Sequence, residues 1–153
     1  MLQFGELVEP GAQRVANFKS EAAPSPALAV LEWRKTNHIR RLAIEGLVSR
    51  IFDVPPNALR SSTRGRAHVA LARQAAMYLA HVVCGLSMTE VGRIFERDRT
   101  TVAHACALIE DRRDDVEFDQ LLELLERIAR EEIRRRLGDK DAIVAYRPDE
   151  RRP

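Results

Sequence analysis

The sequence predicts an all-α fold, a helical bundle with less ordered chain at both ends. Three observations carry that expectation. Glycine is scarce, seven in 153 residues, and the chain is rich in Ala, Leu, Arg and Glu, all good helix formers. Aromatic residues are only 5% of the chain, so the core must be built from Leu, Ile, Val and Ala. Apolar residues recur at i, i+3, i+4 and i+7 along successive stretches, the period of an amphipathic helix.

Residues 1–30 show no sustained period and include Pro10, Gly11, Pro24 and Pro26, so they read as a flexible leader with a short helical piece around Val15–Phe18. The folded part is then 31–137, and 138–153 is a flexible polar tail after a helix stop at Gly138. Ile39, Leu42, Ala43, Leu47, Ile51 and Phe52 define a first helix. Pro55 and Pro56 cannot continue it, because proline lacks the N–H and clashes with the preceding turn. Asn57-Ala58-Leu59 is a turn of helix at most, and Arg60 to Arg66 reads as a basic loop. A long helix follows from about His68 to Cys84, with Leu71, Ala75, Leu79, Val82 and Val83 on its apolar side. Gly85 is placed to stop it.

Ser87-Met88-Thr89-Glu90 has the form of a capping box, in which serine and glutamate satisfy each other's free amides at a helix start. The short helix it opens runs through Phe95 and buries Val91, Ile94 and Phe95. Glu96-Arg97-Asp98 then makes a tight turn, and Asp98 is suited to cap the next helix. That helix turns Val102, Ala105, Cys106 and Ile109 inward and leaves Arg99, Thr100, Thr101, Ala103, His104 and Ala107 outside. Two short helices across a tight turn, the second with a small, polar outer face, are the physical content of a helix-turn-helix. Beyond Asp111 a last amphipathic helix carries Phe118, Leu121, Leu122, Leu125 and Ile128 and ends near Leu137.

Net charge is +2, which by itself selects no partner; its distribution does. From Arg60 to Arg99 there are seven arginines against three acids, and from Asp114 to Arg136 eight acids against five arginines. A basic segment inside a near-neutral chain is the footprint of a nucleic-acid binder. Cys84 and Cys106 sit in apolar helical surroundings and read as buried thiols of a reducing compartment. The N-terminus lacks the basic and apolar regions of a signal peptide, and no apolar run has the length of a membrane span. A cytoplasmic, nucleoid-associated protein is expected. Neither the four histidines nor the cysteines show metal-ligand spacing, and His81 with Cys84 at i, i+3 is a coincidence of helix period. No enzyme, metal or cofactor is expected.

The stretch from about Ala43 to Ala129 resembles the C-terminal DNA-binding domain, domain IV, of the bacterial chromosomal replication initiator DnaA. The resemblance is carried by Phe52-Asp-Val54 with Leu59, by Ala72-Arg-Gln-Ala-Ala-Met-Tyr-Leu-Ala80, by Leu86-Ser-Met-Thr-Glu-Val-Gly-Arg-Ile-Phe95, and by Arg97-Asp-Arg-Thr-Thr-Val-Ala-His-Ala-Cys106 with Ile109-Glu110. It implies that Asp98, Arg99, Thr100 and Thr101 meet base edges in the major groove. It also implies that Arg64 or Arg66 enters the minor groove and that Arg73 and Gln74 touch phosphates. Arg97 and His104 complete the expected DNA-binding set, His104 at the groove edge. The family usually has histidine where Arg99 stands and two glycine-like residues where only Glu96 precedes Arg97. It also has a nucleotide-binding ATPase module, whereas no G-x-x-x-x-G-K-[ST] occurs in these residues.

The expected function is sequence-specific binding of double-stranded DNA, regulating replication initiation at origin or DnaA-box-like sites, or transcription. The alternative is a helical protein-interaction module acting on the replication or transcription machinery, with the acidic C-terminal helix as the docking face. Arg99-Thr100-Thr101 separates the two, because a pure interaction module has no use for it.

Overall fold

A computed structural model describes residues 23–62 and 65–138. They form six helices: α1 (Pro26–Ile51), α2 (Pro56–Arg60), α3 (Ala67–Cys84), α4 (Met88–Phe95), α5 (Arg99–Asp111) and α6 (Val116–Leu137), with a single 3-10 turn at Arg112–Asp114. No strand occurs among the described residues. The helical piece expected at Val15–Phe18 and the tail beyond Gly138 lie outside the described residues.

The first helix starts earlier than expected. Pro26 opens α1 at its first position, where the missing N–H costs nothing, and Ser25 Oγ accepts from the Leu28 amide at 3.3 Å. Residues 26–30 are therefore helix rather than leader. The buried stripe of α1 is also shifted: Ala43, Ile44, Leu47 and Val48 face inward, whereas Leu42 and Ile51 are exposed. The reason is that Asn37, Arg40 and Glu45 occupy inner-face positions, so polarity does not mark the solvent side of this helix.

The alanine-rich α3 touches each of the other five helices. Ala72, Ala75, Ala76 and Ala80 are buried and let neighbouring backbones come close, while Leu79 fills the centre. Val82, expected on the apolar side of α3, is exposed, as is Ile128 on α6, where Ala129 and Ile133 take the inner face. Gly85 ends α3 in the left-handed conformation its lack of Cβ allows. His81 Nδ1 donates to Leu86 O at 2.6 Å and fixes the chain leaving α3, so it is committed to a turn rather than to Cys84.

Both halves of the capping box are made: Ser87 Oγ accepts from the Glu90 amide at 3.2 Å, and Glu90 Oε2 from the Ser87 amide at 2.7 Å. Buried Val91, Val102, Ala105, Cys106 and Ile109 hold α4 and α5 against the core. A charged network on α1 braces the same unit. Glu45, 3% exposed, receives Arg41 at 2.7 Å and Arg60 at 2.7 and 3.0 Å. Arg41 also donates to Ile94 O at 2.6 Å and lies 5.6 Å from the Phe95 ring centre. Buried on the Glu45 side, this arrangement ties α1, α2 and the end of α4 together. At the other end of α5, Arg113 bridges Glu126 at 2.7 Å and covers the Tyr78 ring, fastening α6.

Candidate nucleic-acid interface

The second helix of the helix-turn-helix presents the face its period requires. Arg99, Thr100, Thr101, Ala103, His104 and Ala107 are exposed, directly opposite the buried Val102, Ala105, Cys106 and Ile109. Asp98 occupies the N-cap position, its carbonyl accepting from Val102 N at 3.1 Å. Its carboxylate makes no capping bond, which corrects the expectation that its side chain closes the helix start. Asp98 is thus left exposed at the helix start without a capping bond from its carboxylate.

The turn between α4 and α5 depends on two backbone features. Arg97 N donates to Gly92 O at 2.8 Å, closing the end of α4. A Cβ on Gly92 would fall 2.5 Å from Arg97 O, so only glycine lets the turn fold back this tightly. Glu96 itself takes φ 56° and ψ 49°, the left-handed region that an L side chain enters at a cost. The single residue available in this turn therefore adopts the conformation a glycine would adopt freely.

A groove of about 980 Å³ runs along this surface. One wall is α3, with Arg73, Gln74 and Met77; the other is formed by Thr89, Arg93 and Glu96 to Arg99, continuing to Thr101 and His104. Of the expected site residues, Arg73, Gln74, Arg97, Asp98, Arg99, Thr101 and His104 line it together. Thr100 is exposed on α5 just outside the lining, and Arg66 is exposed at the N-cap of α3. Arg64 lies outside the described residues.

The cations here differ in their commitments. Arg60, counted in the basic segment, is paired with Glu45, and that pairing raises its pKa further. Arg73 Nη1 donates to Ser61 O at 3.0 Å, and Arg97 Nη2 donates to the same oxygen at 2.7 Å. Burial, and then the Arg97 charge, pull the Arg73 pKa down, although a guanidinium remains charged at any physiological pH. Arg99 is open to solvent at the helix start.

Ser61, Gly92 and Arg93 were not singled out by the sequence. Gly92 carried a signal, a lone glycine inside a short helix ahead of a turn. Ser61 carried none, since its role is that of a main-chain carbonyl. Burial pushes the Cys84 thiol up to about 11, in keeping with a core residue rather than a nucleophile. No group of three or more His, Cys, Asp or Glu placed to hold a metal is found among the described residues, and no described helix is long and apolar enough to cross a membrane.

Residues 43–109 match the family model for the bacterial DnaA protein helix-turn-helix. Among curated relatives, the chromosomal replication initiator protein DnaA of Bartonella quintana is 41% identical over 100 residues, 64% of this chain and 20% of that protein. Its counterpart in Brucella abortus is 42% identical over 92 residues, 59% of this chain and 18% of the relative. That of a Thermoanaerobacter species is 35% identical over 115 residues, 74% and 26% respectively. A crystal structure of a DNA replication initiation factor superposes with a TM-score of 0.62 at 30% identity, covering 68% of this chain and 32% of that one. The chain thus spans about a fifth to a quarter of the length of the curated relatives it matches.

Proposed function

We propose that this protein binds double-stranded DNA in a sequence-specific way and acts in the control of replication initiation, because residues 43–109 match the family model for the bacterial DnaA helix-turn-helix. The observation that carries the proposal is the exposed face of α5, whose small and hydrogen-bonding side chains adjoin the arginine-lined groove beside α3. With α5 in the major groove, each side chain has a fitting chemical task. The Arg99 fork matches guanine O6 and N7, Thr100 and Thr101 can meet thymine methyls, and the uncapped Asp98 carboxylate can accept from a cytosine or adenine amino group. Ala103 and Ala107 keep the helix face low enough for close approach.

Gln74 and Arg73 on α3, with His104 on α5, stand at the groove walls, where a sugar–phosphate backbone would run. Arg66 at the N-cap of α3, or Arg64 outside the described residues, is the cation suited to the adjacent minor groove. A single module of this kind covers roughly 600–1,000 Å² of protein surface on DNA, so one copy is a modest binder. Sites of the kind bound by DnaA initiators are the natural setting; a role in transcription uses the same reading surface. The expected location is the nucleoid in the bacterial cytoplasm.

The test is a titration of the purified chain against duplexes containing an initiator box and scrambled duplexes, at several salt concentrations. A preference of tenfold or more for the box, with affinity falling steeply as salt rises, is expected. Equal, salt-sensitive affinity for both would remove the sequence-specific part of the proposal. No binding to either would leave the surface to a protein partner, with the acidic α6 as the docking helix.

A further inference from the structure

We propose that Arg97 is a positioning residue which, together with Arg73, fixes the chain entering α3 against the start of α5, so that the minor-groove and major-groove ends of the reading face are held in one register. The inference rests on the DNA-reading role proposed above and extends it to a residue expected to touch DNA itself. Arg97 lies in the turn immediately before α5, and its own amide is bound to Gly92 O. Its side chain turns toward the segment between α2 and α3, where Nη2 donates to Ser61 O across 36 residues of sequence at 2.7 Å.

Arg73 reaches the same oxygen from α3 at 3.0 Å. One carbonyl therefore gathers two guanidinium groups, one from each wall of the groove. Like charges repel, so this convergence must be held by directional, charge-assisted bonds and by the packing around it. Gly65 shows how tight that packing is. It has φ +61°, and a Cβ there would lie 2.8 Å from Arg73 Nη2. The chain is thus fitted around both arginines at Ser61 and around Arg73 again at Gly65, one residue before Arg66. Arg99, two positions beyond Arg97, remains exposed. Neighbouring arginines accordingly divide the work, Arg99 facing DNA and Arg97 setting the angle at which Arg66 approaches it.

A thermodynamic cycle in the full chain tests this, using an initiator-box duplex at fixed salt and the variants Arg97→Met, Arg66→Ala and the double variant. Each single substitution is expected to weaken binding at least fivefold, and the double variant to bind no more than twofold more weakly than Arg66→Ala. Additive losses would overturn the proposal, because independent contacts to DNA add. Hydrogen exchange in the free protein supplies a readout that needs no DNA. The amides of Ser61, Ser62, Gly65 and Arg66 are expected to exchange at least tenfold faster in Arg97→Met, with Val102 to Ile109 unchanged. Unchanged exchange at 61–66 would equally overturn it. Arg97→Lys keeps the charge and one donor, and covers the case in which the methionine variant does not fold. It should restore protection and affinity together, whereas restored affinity without protection would mark a plain phosphate contact and refute positioning. If the native chain binds no duplex, the functional proposal fails while the exchange data still decide the clamp.

Discussion

Replacing Glu96 with glycine should make the protein more stable, and the size of the effect follows from one backbone conformation. Glu96 closes α4 at φ 56° and ψ 49°. An L residue in the left-handed region carries about 1–2 kcal/mol of strain that glycine does not. Against that, a glycine adds freedom to the unfolded chain worth about 0.5–1 kcal/mol. The net expectation is a gain of about 0.5–1 kcal/mol, or a few degrees in Tm for a domain of this size. Glu96→Gln is the control, since it removes the charge and keeps the strain, and it should stay within about 0.5 kcal/mol of the native chain. Urea unfolding followed by far-UV circular dichroism measures both. A glycine variant no more stable than the glutamine variant would refute the claim that this turn is strained. Both variants also take a negative charge out of the groove. Both should therefore bind DNA about two- to threefold more tightly at low salt, with the gain fading toward physiological ionic strength.

Arg99→Ala is expected to reduce the preference for a specific duplex over a scrambled one by roughly 5- to 160-fold, the loss of one good base contact of about 1–3 kcal/mol, as read by competition titration. Gly92→Ala should be destabilising even though alanine is the better helix former by about 0.8–1 kcal/mol, because the added Cβ would meet the Arg97 carbonyl at 2.5 Å. Overpacking of this kind typically costs about 1–3 kcal/mol, so the net loss should show directly in the urea midpoint. The Cys84 thiol, raised from 9.0 to about 11 by burial, stays protonated in the folded chain after the unfolded chain has begun to ionise. The unfolded state then binds fewer protons, so stability should fall as pH rises from about 9 toward 11, and the fall should be shallower in Cys84→Ala when unfolding midpoints are compared across that range.

The exposed face of α5 was legible because it depends on local period alone. Val102, Ala105, Cys106 and Ile109 follow i, i+3, i+4, i+7, and their burial assigns Arg99, Thr100, Thr101 and His104 to the outside without any tertiary knowledge. The capping box was legible for the same reason, since its partners are three residues apart. The inner face of α1 was not, because Asn37, Arg40 and Glu45 are buried by neighbours distant in sequence, and polarity misled the assignment of Leu42 and Ile51. Asp98 has the residue type of a cap but not the bond, which depends on a side-chain rotation that sequence does not fix. The convergence on Ser61 was out of reach altogether, because a carbonyl oxygen is common to every residue and its use is set by which side chains fold over it.

The all-helix contacts of α3 and the open face of α5 also say where this protein can change. Ala72, Ala75, Ala76 and Ala80 are buried in the core, where added methylene groups overpack, so the scaffold leaves little room for drift. Arg99, Thr100, Thr101 and Ala103 lie on the outside, where substitutions usually shift stability by no more than about 0.5 kcal/mol. On the reading proposed for α5, binding preference can thus be rewritten one letter at a time on a frame that does not register the edit. That makes the domain a ready chassis for retargeting, by laboratory selection or by duplication and divergence, without a compensating repair of the core.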